Sequence, residues 1–75
     1  MNQTTFKILF DRETDGRWIA EVPRVPGALA YGETKVEAKR KVTAIALRTL
    51  ADQVESGRSP KGLGNLFSYG AMASS

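Results

Sequence analysis

Residues 17–27 read Arg-Trp-Ile-Ala-Glu-Val-Pro-Arg-Val-Pro-Gly, a pattern typical of a β-strand that ends at a sharp corner. Over residues 17–22 the side chains alternate as they do on the two faces of a half-buried strand. Pro23 lacks the amide hydrogen that a strand ladder needs, so the strand is predicted to end there. Pro26 and Gly27 suit a type II turn, because proline presets φ and glycine accepts a positive φ.

A partner strand is predicted before this one, over residues 4–13, joined to it by the turn signal Thr14-Asp15-Gly16. The loop length fixes the register, because a slip of one residue moves every side chain to the other face. A two-residue Asp-Gly turn would set Phe10 opposite Glu21 and leave a mixed face. A three-residue loop sets Phe10 opposite Ala20 and gathers the apolar side chains together. We therefore predict the three-residue loop, with its glycine in the left-handed conformation.

A third strand and one long helix are predicted next. Residues 28–32 form the strand, and the short connection before it favours an antiparallel meander. The helix is predicted from about residue 35 to about residue 56. Thr34 and Glu37 have the spacing of a capping box, in which Glu37 reaches back to the Thr34 amide, and Gly57 suits the C-terminal end. Apolar residues at spacings of three and four form one stripe along the helix: Ala38, Val42, Ile45, Ala46, Leu50 and Val54.

The predicted helix is longer than the sheet beneath it. About 22 residues give a helix of about 33 Å, whereas strands of about six residues span about 20 Å. We therefore expect Leu47, Leu50 and Val54 to be covered by the C-terminal tail, a second subunit or a partner. The chain has 75 residues and no cysteine, so disulfides cannot stabilise it and we expect a homo-oligomer.

The composition changes after Gly57. Residues 58–65 are linker-like, and residues 66–69 could add a short fourth strand. We divide the chain into a β-β-β-α domain at residues 1–57 and a flexible tail at residues 58–75. The predicted fold class is α+β: a three-stranded antiparallel meander plus one long helix, with the fourth strand left open.

The composition also excludes several kinds of site. Without histidine or cysteine, the chain can hold no Ser-His-Asp triad, Cys-His dyad or thiolate metal site. The net charge of +3 permits a nucleic-acid role without requiring one. No apolar run is long enough to span a membrane, and the polar N-terminus does not resemble a signal peptide. We expect a soluble, cytoplasmic protein without catalytic residues, cofactor or metal.

Three features of the sequence are candidate sites. Asp11, Glu13 and Glu21 share one face of the hairpin and could hold Mg²⁺, although surface charges are the simpler interpretation. Basic residues cluster in the first helical turns without any nucleic-acid recognition motif, which favours a solvated helix face. Leu9 and Ile19 lie on the sheet face predicted to point away from the helix. Either they form a contact surface or the tail folds over them.

A family resemblance covers about residues 4–57. Residues 18–27 read W-x-A-x-V-P-x-x-P-G and residues 32–38 read G-x-T-x-x-E-A. In combination, and together with Asp11, Asp15-Gly16-Arg17 and Tyr31, they resemble the HicB-type antitoxin domain. The resemblance implies a degraded ribonuclease-H-like fold and a non-catalytic protein that masks a small basic ribonuclease toxin of the HicA type. Many family members carry a further DNA-binding domain, but the residues after Gly57 are too few for a helix-turn-helix domain, which leaves DNA binding in doubt.

The predicted partner-binding residues combine apolar contact area with negative charge that would face a basic toxin: Leu9, Asp11, Ile19 and Glu21. Three alternatives stay open. The chain could be an orphan oligomeric scaffold, a nucleic-acid-binding module, or a residual nuclease that uses the acidic residues of the hairpin.

Overall fold

The computed structural model describes residues 6–64 and 66–73. The chain forms a three-stranded antiparallel sheet with one long helix packed on one face. The strands are β1 (Leu9–Arg12), β2 (Trp18–Glu21) and β3 (Leu29–Gly32), in the sheet order β1-β2-β3, and the helix α1 (Lys35–Glu55) follows them. The predicted α+β class, the meander and the long helix are confirmed.

The β1–β2 hairpin has the predicted register. Phe10 lies opposite Ala20 and Arg12 lies opposite Trp18. The Gly16 amide donates to the Glu13 carbonyl at 2.9 Å, and Gly16 has a φ of +92°. A three-residue loop with a left-handed glycine is therefore confirmed. The strand itself is shorter than predicted, and residues 4 and 5 of the predicted strand lie outside the described residues.

The corner after β2 folds back toward the core. The Ala28 amide donates to the Val25 carbonyl at 3.0 Å and Gly27 has a φ of +85°, which confirms the type II turn at Pro26 and Gly27. The Val22 amide donates to the Ala28 carbonyl at 3.0 Å. This corner buries both Val25 and Ala28, so it contributes to the core as well as reversing the chain.

The core between sheet and helix is built largely from small side chains, which lets the two layers approach closely. Gly32 is buried directly beneath α1, and a Cβ atom placed there would lie 2.5 Å from the Ala38 amide nitrogen. The buried core residues are Ala20, Val22, Val25, Ala28, Ala30, Ala38, Val42, Ala46 and Leu50.

Both ends of α1 are capped. The Thr34 hydroxyl accepts from the Glu37 amide at 3.1 Å, as predicted. The Glu37 carboxylate accepts from the Glu33 amide at 2.6 Å. The predicted bond to the Thr34 amide is therefore wrong by one position, because the carboxylate reaches past the cap residue. At the other end Gly57 has a φ of +89°, and the Gly57 and Arg58 amides donate to carbonyls of the last turn, which is a Schellman motif.

The end of α1 extends beyond the sheet, but not all of its apolar residues are left uncovered. Leu47 is 61% exposed and Val54 is 52% exposed, in line with the length argument. Leu50 is only 7% exposed within the single chain, so its burial requires neither a second subunit nor a partner. It belongs to the core and lines a narrow groove with Phe6 and Ile8, which precede β1.

The fourth strand that the sequence left open at residues 66–69 is not observed. These residues form no strand, and Phe67 and Tyr69 are exposed to solvent. Within the described residues, the tail contacts the core through Leu63, which is partly buried, and the chain leaves the body after it. Residues 65, 74 and 75 of the predicted flexible tail lie outside the described residues. No helix found in residues 6–64 and 66–73 combines the length and apolar character needed to cross a membrane.

Candidate protein-binding surface

The sheet has one face that α1 does not cover, called here the outer face. Residues directly opposite each other on neighbouring strands point to the same side of a sheet. The observed register therefore aligns the outer-face residues in rows that cross all three strands. One row contains Leu9, Glu21 and Leu29, and the next contains Asp11, Ile19 and Tyr31.

All four predicted partner-binding residues lie together on the outer face. Leu9, Asp11, Ile19 and Glu21 line a shallow, open depression of about 380 Å³. Leu9 is 48% exposed and Ile19 is half-buried. In the described part of the chain, then, the tail does not cover Leu9, and of the two alternatives drawn from the sequence the open surface is the one observed.

Two residues of the outer face were missed by sequence reasoning. Leu29 and Tyr31 both point away from the helix and are exposed. The signal was present in the sequence, because Ala28, Ala30 and Gly32 occupy the alternate positions and face the core. Applying the two-residue period to β3 as strictly as to β2 would have assigned both residues to this face.

The charge of the outer face is acidic along β1 and β2. The Asp11 carboxylate accepts from the Arg12 amide at 2.8 Å and is exposed. Glu13 and Glu21 line the same depression. No ion pair involves these three carboxylates among residues 6–64 and 66–73.

Arg17 places a positive charge at the hairpin end of the outer face, and contacts with Asp15 and Tyr31 hold its side chain there. The Arg17 guanidinium donates to Asp15 Oδ2 at 2.8 Å, and its central carbon lies 4.5 Å from the centre of the Tyr31 ring. The Arg17 amide also donates to Asp15 Oδ1 at 3.0 Å. This backbone hydrogen bond, with the side-chain bond and the charge of Arg17, lowers the pKa of Asp15 below its ordinary value.

Trp18 lies on the opposite side of the sheet. It is half-buried and packs against the core. The Arg12 guanidinium carbon lies 4.9 Å from the centre of its ring, and Lys35 Nζ lies 5.6 Å from it. These two cations lie over the Trp18 ring, which is the geometry of a cation–π contact. Trp18 therefore belongs to the helix–sheet packing rather than to the outer face.

The carboxylates of the outer face do not form a metal site. Across the described ranges, no group of three or more Asp, Glu, His or Cys side chains is arranged to hold a metal ion. The alternative of a residual nuclease that uses Asp11, Glu13 and Glu21 thus gains no support from the geometry. The prediction that the chain has no catalytic residue stays a prediction.

Comparison with protein-family models, with curated proteins and with solved structures gave no match for this chain. The resemblance to HicB-type antitoxins rests on the quoted residues of the sequence alone, chiefly on the two residue patterns. Both patterns lie on elements that build the fold: the first spans β2 and the corner, and the second spans the end of β3 and the start of α1.

Proposed function

We propose that the protein is antitoxin-like, and that it binds and neutralises a small basic HicA-type ribonuclease toxin through the outer face. The observation that carries the proposal is an apolar patch that the described chain leaves open and that carboxylates border. The patch consists of Leu9, Ile19, Leu29 and Tyr31, and the carboxylates belong to Asp11, Glu13 and Glu21.

The apolar part of the outer face supports contact with another protein. Each Å² of apolar surface removed from water contributes about 25 cal/mol, and an aromatic residue beside aliphatic ones is typical of the centre of an interface. Tyr31 is held in place by Arg17, whose guanidinium lies over its ring. A partner would therefore meet a surface that loses little conformational freedom on binding.

The acidic part supports a basic partner. A ribonuclease must attract RNA phosphates with cationic side chains, and the same side chains would meet Asp11, Glu13 and Glu21. Complementary charge speeds association and selects against acidic competitors. Neutralisation then requires only that the outer face occupies the toxin surface that binds RNA. In this proposal the protein acts in the cytoplasm, needs no cofactor and performs no chemistry itself.

The test is co-expression with the small protein encoded by the adjacent gene. We expect a stable complex and the loss of that protein's RNA-cleaving toxicity.

Ile19→Asp places a charge at the centre of the patch and should weaken binding roughly 100-fold, since it costs both apolar area and desolvation. Asp11→Lys should slow association about tenfold at low salt.

Matched controls separate the outer face from general effects. Met72→Asp makes the same kind of change on the exposed tail, and Asp52→Lys reverses a carboxylate on α1; both should bind as the parent does. Equal binding by folded Ile19→Asp and Asp11→Lys would exclude the outer face as the site. Absence of any complex would overturn the antitoxin proposal and leave the oligomeric scaffold as the alternative.

A further inference from the structure

A second apolar surface runs along the exposed flank of α1. Val36 is 72% exposed, and Leu47 and Val54 are also largely exposed. Val36 and Leu47 line one open groove together with Thr43 and Arg40. The flank is distinct from the outer face, because it belongs to the helix and the outer face lies on the other side of the sheet. The proposal above does not use it.

The spacing along this flank is that of a helix–helix seam. Its residues follow one another at alternating intervals of four and three, which is the 3.5-residue repeat by which one helix keeps the same face toward another. The flank stripe consists of Val36, Arg40, Thr43, Leu47, Leu50 and Val54. Leu50 is a core residue, so the flank stripe borders the core on the side where Leu50 lies.

The flank stripe is symmetrical about position 45. Residues at equal distances from that position form three pairs: Val36 with Val54, Arg40 with Leu50, and Thr43 with Leu47. If two copies of α1 lie antiparallel, the Val36–Val54 and Thr43–Leu47 pairs become layers of contact between them, whereas Leu50 stays in the core of its own subunit. A twofold interface requires this kind of self-complementarity, because the same patch serves both subunits.

The charges of α1 favour the same antiparallel arrangement. Its first turns carry Lys35, Lys39, Arg40 and Lys41 against the single acidic Glu37, whereas its last turns carry Asp52 and Glu55 and the final turn has no basic residue. Antiparallel packing sets the basic end of one helix beside the acidic end of the other. It also places cations near the negative end of the partner helix dipole. Parallel packing would set like charges side by side.

We propose that the protein forms a twofold dimer in which two α1 helices pack antiparallel through the flank stripe. Leu47 of each copy then meets Thr43 of the other near the twofold axis. The Arg40 stem lies along the border of this contact while its guanidinium extends to solvent. The outer face takes no part in this contact, so each subunit keeps it open.

The first test is the molar mass measured by light scattering and sedimentation over a wide range of concentration. We expect a dimer that Leu47→Glu weakens at least about 100-fold, because the change removes a leucine from both copies beside the axis. Circular dichroism of this variant should match the parent, since Leu47 is exposed in the monomer. Leu9→Lys on the outer face is the control and should leave the dimer intact.

The second test fixes the direction of the helices, using the absence of native cysteine. Val36→Cys and Val54→Cys proteins, one carrying a mass tag, are mixed and oxidised. We expect the mixed 36–54 disulfide to dominate, because antiparallel packing separates position 36 of one copy from position 36 of the other by about 18 residues, or about 27 Å. Predominant 36–36 disulfides would overturn the antiparallel register. A monomer at all concentrations would overturn the dimer and assign the flank to another protein.

Discussion

Gly32 is the position where the fold tolerates least change. It ends β3 directly under the first turns of α1, and it is buried. A Cβ atom there would lie 2.5 Å from the Ala38 amide nitrogen and 3.0 Å from the Ala38 Cα and the Glu37 carbonyl carbon. All three atoms belong to the helix backbone, so no side chain can rotate away. We predict that Gly32→Ala is severely destabilising.

The size of the effect follows from what must move. An ordinary carbon contact is about 3.5–4.0 Å, so the start of α1 has to shift outward by about 1 Å. Overpacking usually lowers the stability of a protein by about 1–3 kcal/mol. We expect a loss of about 3 kcal/mol here because the added methyl group lies between the backbone of β3 and the backbone of α1. A domain of this length has a free energy of unfolding of about 4–11 kcal/mol. The melting temperature should therefore fall by about 12–24 °C.

Thermal and urea unfolding, followed by circular dichroism, measure the change. Gly64→Ala is the matched control, since a Cβ atom there meets nothing within 4 Å, and its stability should stay within about 0.5 kcal/mol of the parent. If Gly32→Ala unfolds within the same margin, the close contact between β3 and α1 is wrong. The expected result would also explain why a glycine stands at this point of the sequence pattern.

Two further predictions concern local contacts. Thr34→Ala should cost about 1 kcal/mol of stability, because the Glu37 amide loses the hydroxyl that caps α1, whereas Thr34→Ser should be close to neutral; urea unfolding of the three proteins checks this. Asp15 has a lowered pKa in the folded hairpin, so its carboxylate stabilises the fold above the ordinary Asp value and that contribution is lost as the pH falls through the folded value. The parent should therefore be more stable than Asp15→Asn near neutral pH, and the difference should shrink as the pH falls below the ordinary Asp pKa of about 3.9. A difference in the free energy of unfolding that stays constant through this acid range would contradict the role of the charge.

The register of the hairpin could be predicted because only one loop length gathers the apolar residues on one face. That loop length requires Phe10 to lie opposite Ala20, and the structure shows this pairing. The caps of α1 were equally predictable, since Thr34 and Gly57 are residue types with specific backbone roles. In these places the local preference and the tertiary packing favour the same structure.

The errors arose where packing between distant segments decides the outcome. Leu50 was expected to need cover from the tail, a second subunit or a partner because only the sheet was considered, but it lies beside Phe6 and Ile8, which precede β1. Phe67 and Tyr69 are residue types that favour β-strands. Both are nevertheless exposed to solvent and form no strand. A strand forms only where an edge pairs with it, and residue preference alone does not supply that edge.

The residues that suggest the family and the residues that would bind a partner are largely different. Ala20 and Gly32 belong to the two sequence patterns and are buried between sheet and helix. Leu9 and Leu29 lie outside those patterns and are exposed on the outer face. A variant at a pattern position therefore tests folding first, and its loss of binding would not identify a contact. Leu9→Lys leaves the core untouched, so a loss of toxin binding by that variant, with the melting temperature unchanged, would separate recognition from stability.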